Sequence, residues 1–179
     1  MADIMLDIET FGTGDFAPIV ELAACEFNIK TGEIGRTFSQ VINLASNIEV
    51  GMNNISHGTL KFWSEQESFH RIVDACFSTD TTLHSALVDF RSFILQISST
   101  RTLWAKGVDF DIRLLRQAYE KCAVDVPWSF REPSDCRTLL KLFPVPSSPP
   151  NHYALDDAVG QALALSKVLN LLKGTKGDS

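Results

Sequence analysis

Two acids, Asp7 and Glu9, stand two positions apart in the apolar run that starts at Ile4, within the segment MADIMLDIETFG. Side chains at that spacing point to the same face of a strand, so the two carboxylates sit side by side above a sheet. Like charges placed this way repel unless a cation lies between them. Oxygen ligands of this type suit Mg²⁺ or Mn²⁺. The competing reading is an edge-strand acid pair that faces water, and further ligands elsewhere in the chain decide between the two.

Three more groups stand where chemistry could use them. Asp109 and Asp111 lie where a strand expected over 100–105 passes through Lys106 and Gly107 into a helix over 110–122. Asp156 and Asp157 open the strongest helical pattern, 155–172, whose Ala158, Ala162, Leu165, Leu169 and Leu172 line one side. Just ahead of it, residues 143–151 (FPVPSSPPN) hold four prolines and cannot continue a helix. This stiff loop delivers His152, five residues before Asp157, to overhang the same cleft.

The elements that must position these groups follow from the pattern. A first strand around residues 4–10 gives way to a Gly-containing turn over 11–18, a second strand over 19–27 and a third over 35–44. Short turns between them predict an antiparallel start to the sheet. Residues 45–58 read as an irregular polar connector lying over the catalytic face. Helices are expected over 59–67 and 84–97, the second with a stripe of Leu87, Phe90, Phe93, Ile94 and Ile97, and a loop over 77–82 between them. Phe62 and Trp63 read as packing residues in preference to a base-stacking platform. Asp109 is expected to cap the 110–122 helix. A short edge strand falls within 123–133, and a helix starts near 134–142 with Asp135 at its terminus and Arg137 in a local ion pair. The alternation makes an α/β domain: a mixed sheet flanked by helices, able to gather Asp7, Glu9, an acid of the 109–111 pair and an acid of the 156–157 pair at one edge. One domain is expected over 1–173, with a flexible tail over 174–179.

Composition narrows the function classes. The chain has 179 residues, 45% of them hydrophobic, enough for one sizeable core. A formal charge of -6 argues against a broadly basic grip on nucleic acid, although carboxylates that hold cations add to this sum without repelling a substrate. Cys25, Cys76, Cys122 and Cys136 form no C-x-x-C pair, so neither zinc nor disulfide redox chemistry is signalled. No apolar run is long enough to span a bilayer and no leader precedes the first strand, which makes a reducing cytoplasm the expectation.

DIET at residues 7–10, WAKGVDFDIRLL around Asp111 and HYALDDA from His152 onward resemble, in order, the three exonuclease motifs of the DEDDh family in the ribonuclease H-like fold. More narrowly, the chain is similar to the compact DexA-type and exonuclease VIII-like nucleases of phages and prophages, including the DCRTL segment at 135–139, from Asp3 to about Leu169. The resemblance implies that Asp7, Glu9, Asp111 and Asp157 are the four metal-binding acids and His152 the general base. It selects Asp111 over Asp109, because the family acid follows an aromatic, and Asp157 over Asp156, because the family acid stands five residues after the histidine. Hydrolysis of a phosphodiester needs an attacking hydroxide and neutralised charge on the attacking and leaving oxygens, which two Mg²⁺ or Mn²⁺ ions about 4 Å apart supply. Neutral imidazole accepts a proton near neutral pH.

The resemblance further implies substrate contacts at Thr10 and Phe11, while composition alone assigns Phe11 to the core. Lys106 is a candidate phosphate contact, with a solvent-facing lysine as the alternative. Lys106-Gly107-Val108 replaces the asparagine frequent in the family before the second acid. Arg131 and Arg137 are further candidate phosphate partners, and His57, His70 and His84 form no ligand spacing.

The expectation is a metal-dependent 3′-5′ exonuclease releasing 5′-mononucleotides from single-stranded or frayed DNA, a phage or prophage product, compatible with a homodimer. A 3′-5′ exoribonuclease is the enzymatic alternative. A catalytically idle nucleic-acid-binding or scaffold protein is the alternative of another class, and a zinc hydrolase fits poorly because the donors are oxygens with one histidine.

Overall fold

A computed structural model describes residues 2–97, 101–147 and 149–174; the tail expected over 174–179 lies, from residue 175, outside them. Strand β1 (Ala2–Thr10) pairs antiparallel with β2 (Ile19–Phe27), which pairs antiparallel with β3 (Ile34–Val41). On its other side β1 runs parallel to β4 (Arg101–Ala105), and β4 parallel to β5 (Pro133–Asp135). The order β3-β2-β1-β4-β5 is the mixed sheet expected from the sequence. The edge strand is three residues long and begins with a proline, which an edge tolerates because it need not donate to a further neighbour.

Strand alternation sorts the two faces of the sheet. Ile4, Leu6 and Ile8 of β1 point into the larger core with Leu83, Leu87, Phe90 and Ile94 of α4 (Leu83–Leu95) and Ile112, Leu115 and Tyr119 of α5 (Asp111–Lys121). Met5 points the other way, to Cys136 of α6 (Cys136–Leu142) and to Ala158, Ala162 and Leu165 of α7 (Ala154–Gly174). Asp7 and Glu9 continue the Met5 series, so the period that buries Met5 under α7 also aims both acids at it. Small residues at 158 and 162 let α7 lie close across β1 and β2.

Where a polar connector was expected, α1 (Leu44–Glu49) forms, followed by α2 (His57–Ser64) and α3 (Phe69–Ser78). The polar residues of this stretch serve the backbone. Asn43 caps α1 by accepting from Ser46 N at 3.1 Å, and buried Asn47 bonds both the N–H and the C=O of Ile19, each at 3.0 Å. Helix α3 has no counterpart among the sequence expectations. Its Ile72 and Cys76 pack with Phe11, Val20, Leu44 and Trp63 in a separate small core against the outer part of the sheet.

Candidate active site

The acids meet at the carboxyl ends of the parallel strands β1 and β4, the usual place for a site in an α/β sheet. Chain direction places Asp7 and Glu9 toward the end of β1. Asp111 opens α5, one tight turn beyond β4. That turn needs Gly107: its φ is +138°, and a Cβ there would lie 2.6 Å from the Arg137 guanidinium. The carbonyl of Gly107 accepts from Phe110 N at 2.7 Å and Asp111 N at 2.9 Å, and Asp135 holds Val108 N at 3.1 Å. The expected cap at Asp109 is therefore corrected: local carbonyl and Asp135 acceptors already serve the turn, and Asp109 stays exposed. Asp111, at the helix start, is instead buried at the sheet.

The loop after Glu9 is locked in place. Asn54 N donates to the Phe16 carbonyl at 3.1 Å, Asn54 Nδ2 to the Asp15 carbonyl at 2.9 Å, and Gln117 of α5 accepts from Phe16 N at 2.8 Å. Gly12 makes the approach possible, because a Cβ there would come within 2.2 Å of the Asn54 carbonyl. Thr10 spends its hydroxyl on Gly12 O at 2.7 Å and its carbonyl on the Trp63 indole N–H at 2.8 Å.

On the other side, the stiff loop ends at Asn151 and His152, whose backbone N–H groups donate to Asp157 Oδ1 at 3.1 Å and Oδ2 at 3.2 Å. Asp156 points away to Asn151 Nδ2 and is exposed. His152 Nδ1 lies 3.9 Å from Glu9 Oε1. Glu9, His152 and Asp157 each offer a ligand atom within 4.8 Å of the others, a group able to hold a metal ion. Asp7 sits beside them, accepting from Gln161 Nε2 at 2.8 Å.

The electrostatics state what this arrangement lacks. Burial, and then the charges of Asp7, Asp157, Glu21 and Asp111, push Glu9 up to about 9. Burial, followed by Asp111, raises Asp7 well above the usual carboxylate range, with Gln161 and Lys106 opposing. Asp111 is pushed up to about 7 by burial, although backbone hydrogen bonds and Arg137 pull the other way. A compact set of buried and half-buried oxygen donors, whose mutual repulsion and burial outweigh Lys106 and Arg137, fits a divalent cation, which would restore their ionised form.

Two clefts flank the acids. One, about 460 Å³, is lined by Glu9, Thr10, Thr13, Phe62, Phe110 and His152. The other, also about 460 Å³, is bordered by Lys106, Leu140, Asn151, Asp157 and Gln161.

All five expected catalytic residues thus gather at one place. Among the expected substrate contacts, Thr10 lines the first cleft and Lys106 the second, while Phe11 is 2% exposed and packs edge-on against Trp63 in the small core. Its ring is a support for the wall, not a surface, because the apolar face of α2 and α3 covers it. Phe62 departs from the packing role expected of it: it is exposed, lines the first cleft and meets the His152 ring edge-on at 5.1 Å. Trp63 does pack, at 1% exposure. Gln161 and Phe110 escaped the sequence reading; Gln161 stands one helical turn after Asp157, which is the signal that points to it. Arg137, an exposed residue, donates to the Lys106 carbonyl, with distances of 3.2 Å from Nε and 2.6 Å from an η nitrogen. Arg131, also exposed, lies over Phe130.

Comparison with known proteins places this geometry in a family. Residues 2–169 match the family described as "3'-5' exoribonuclease Rv2179c-like domain". The exodeoxyribonuclease of Enterobacteria phage T4 is 23% identical over 124 residues, covering 64% of this chain and 54% of the phage protein. This chain therefore aligns with about half the length of that relative. Among solved structures, the nuclease domain of 3'hExo, a DEDDh family member bound to rAMP, superposes with a TM-score of 0.63 at 15% identity, covering 97% of this chain and 92% of that one. Zinc-bound E. coli ExoI in complex with single-stranded DNA superposes with a TM-score of 0.70 at 13% identity, covering 97% of this chain and 41% of the other. At such identities these structures establish the ribonuclease H-like fold.

Proposed function

We propose, for a chain that belongs to the Rv2179c-like 3′-5′ exoribonuclease domain family, a metal-dependent 3′-5′ exonuclease that releases 5′-mononucleotides from single-stranded or frayed DNA. The observation that carries this reading is the gathering of Asp7, Glu9, Asp111 and Asp157 at one sheet edge with His152 Nδ1 3.9 Å from Glu9.

In this reading Asp7, Glu9, Asp111 and Asp157 hold two Mg²⁺ or Mn²⁺ ions, which when bound acidify the attacking water and neutralise the leaving 3′-oxygen. His152 accepts the water proton. Its backbone N–H is fixed by Asp157 and its ring is backed by Phe62 and by Trp63, 5.7 Å away, so the imidazole meets the reacting centre without a search over rotamers. Phe62 and Phe110 offer apolar walls for the terminal nucleoside, and Lys106 faces the phosphate side from the second cleft. The Asn54-braced loop borders the first cleft and the proline loop the second, one on each side of the acids, an arrangement that supports engagement of a strand end and hence exo action.

DNA is the first reading because of the phage relative; the family description supports RNA as the second. We assign residues 1–173 to one domain, and the phage relative supports a phage or prophage product acting in the bacterial cytoplasm. No helix among the described residues is long and apolar enough to cross a membrane.

The test uses 5′-labelled single strands of DNA and RNA of matched sequence with Mg²⁺, Mn²⁺ or EDTA, and an Asp7→Ala control. The expected result is a metal-dependent ladder shortening from the 3′ end and absent from the control, and the faster strand identifies the substrate. Absence of cleavage of either strand in either metal, or cleavage that survives Asp7→Ala, overturns the reading.

A further inference from the structure

Arg71 stands on α3, outside every motif, yet it reaches the chain that carries His152. One of its η nitrogens donates to Glu21 Oε2 at 3.0 Å and to the His152 carbonyl at 3.3 Å. Its guanidinium carbon lies 3.9 Å from the centre of the Tyr153 ring, the geometry of a cation–π contact. Glu21 is 4% exposed on β2 and is the register partner of Glu9 on β1. A continuous path therefore runs from the strand beside the acids through Glu21 and Arg71 to His152 and Tyr153, at the junction of the proline loop with α7.

His152 needs such a hold. Its φ of +58° lies in the left-handed region, where a residue with a Cβ stays only when its surroundings over-determine it. Its N–H is held by Asp157, a carboxylate that a bound cation would also claim. Its C=O is held by Arg71, which no cation claims. We propose that Arg71, braced by Glu21 and stacked on Tyr153, is a positioning residue that fixes the main chain of His152 and thereby aims its imidazole. This rests on His152 acting as general base in the reading above. It gives α3 a role: the helix is docked through Ile72 and Cys76 so that its Arg71 face meets the end of the loop.

The test is a double-mutant cycle with an independent structural readout. Arg71→Ala lowers kcat by roughly 10–100-fold, the range seen when a partner that orients a reactive group is removed, with KM and the metal activation constant within about twofold. Arg71→Lys recovers part of the loss, because one donor remains while the planar fork and the stack are lost. In a His152→Ala background the same Arg71→Ala change costs less than about twofold, because the group being positioned is gone. Amide exchange at residues 151–153 speeds up in Arg71→Ala, while Ile94→Val, which loosens the larger core at α4 and not the small core that docks α3, leaves those amides as they are. Equal losses in both backgrounds, a change in KM alone, or unaltered exchange at 151–153 overturns the proposal. Failure of the general-base reading is separately visible as His152→Ala turning over like the unmodified protein, and the exchange result holds whichever nucleic acid is the substrate.

Discussion

Glu9 is the residue at which the site's need is plainest, since its carboxyl is pushed up to about 9 by burial and by neighbouring acids. Asp7, also raised, shares that environment. Replacing Asp7 with Asn keeps the shape and removes a charge that a cation would use. The expected outcome is a loss of turnover of roughly 10³-fold or more, the several kcal/mol contributed by metal Lewis-acid stabilisation. Single-turnover kinetics at saturating Mn²⁺ checks this, and near-normal rates refute the assignment. His152→Ala is expected to cost roughly 10²–10⁴ in kcat, the contribution of a positioned general base. The neighbouring acids give a sharper contrast. Asp109→Asn and Asp156→Asn, both at exposed positions, should leave turnover within about twofold, as surface substitutions do. Asp111→Asn and Asp157→Asn should not, and the same assay run on all four separates ligand from bystander.

At the scale of elements, β1 was legible because alternation is a local property: Ile4, Leu6 and Ile8 on one face and Met5, Asp7 and Glu9 on the other follow from a two-residue period. Helix α7 was legible for the same reason at a period of 3.6. Helix α1 was not. Its polar residues read as a connector, and their use as backbone partners depends on strand β2 being beside them. Asn47 shows this most directly, since it bonds the N–H and C=O of Ile19, 28 positions away. Asn47→Ala should destabilise the fold by about 2–4 kcal/mol, because two buried backbone groups lose their partner. Chemical denaturation measures it, and a change below about 0.5 kcal/mol, the size of an ordinary surface substitution, means that water replaces the amide. Helix α3 does carry a helical stripe in Phe69, Ile72, Val73 and Cys76, but its first turn has no side-chain cap and it sits between short turns, so the local start and stop signals are weak.

Over the whole molecule, the buried acids link stability to pH. Glu9 and Asp111 have folded values of about 9 and about 7 against 4.5 and 3.8 for the free groups. Between those limits the folded state binds more protons than the unfolded state, so stability falls as pH rises through the window. In EDTA the Tm is expected to decline from about pH 5 to about pH 9, with Glu9→Gln reducing the decline. Because a bound cation favours the ionised acids, Mn²⁺ should raise the Tm more at about pH 8 than at about pH 6. Calorimetry across the range checks both, and a flat metal-free profile removes the electrostatic account of the site. By itself, the sequence determined the strand and helix periods and the mixed sheet, and its family-like motifs offered Asp7, Glu9, Asp111, His152 and Asp157 as the candidate site, because each is written in local spacing or in a motif of a few residues. The tertiary structure decided between core and substrate contact for Phe11, and it alone decided that Phe62 lines the cleft, that Asp109 caps nothing, and that Arg71, paired with Glu21, meets the His152 carbonyl. The cover over the Phe11 segment and the hold on His152 depend on contacts between residues 50 to 81 positions apart, and no periodicity within one element encodes which distant surface will cover it.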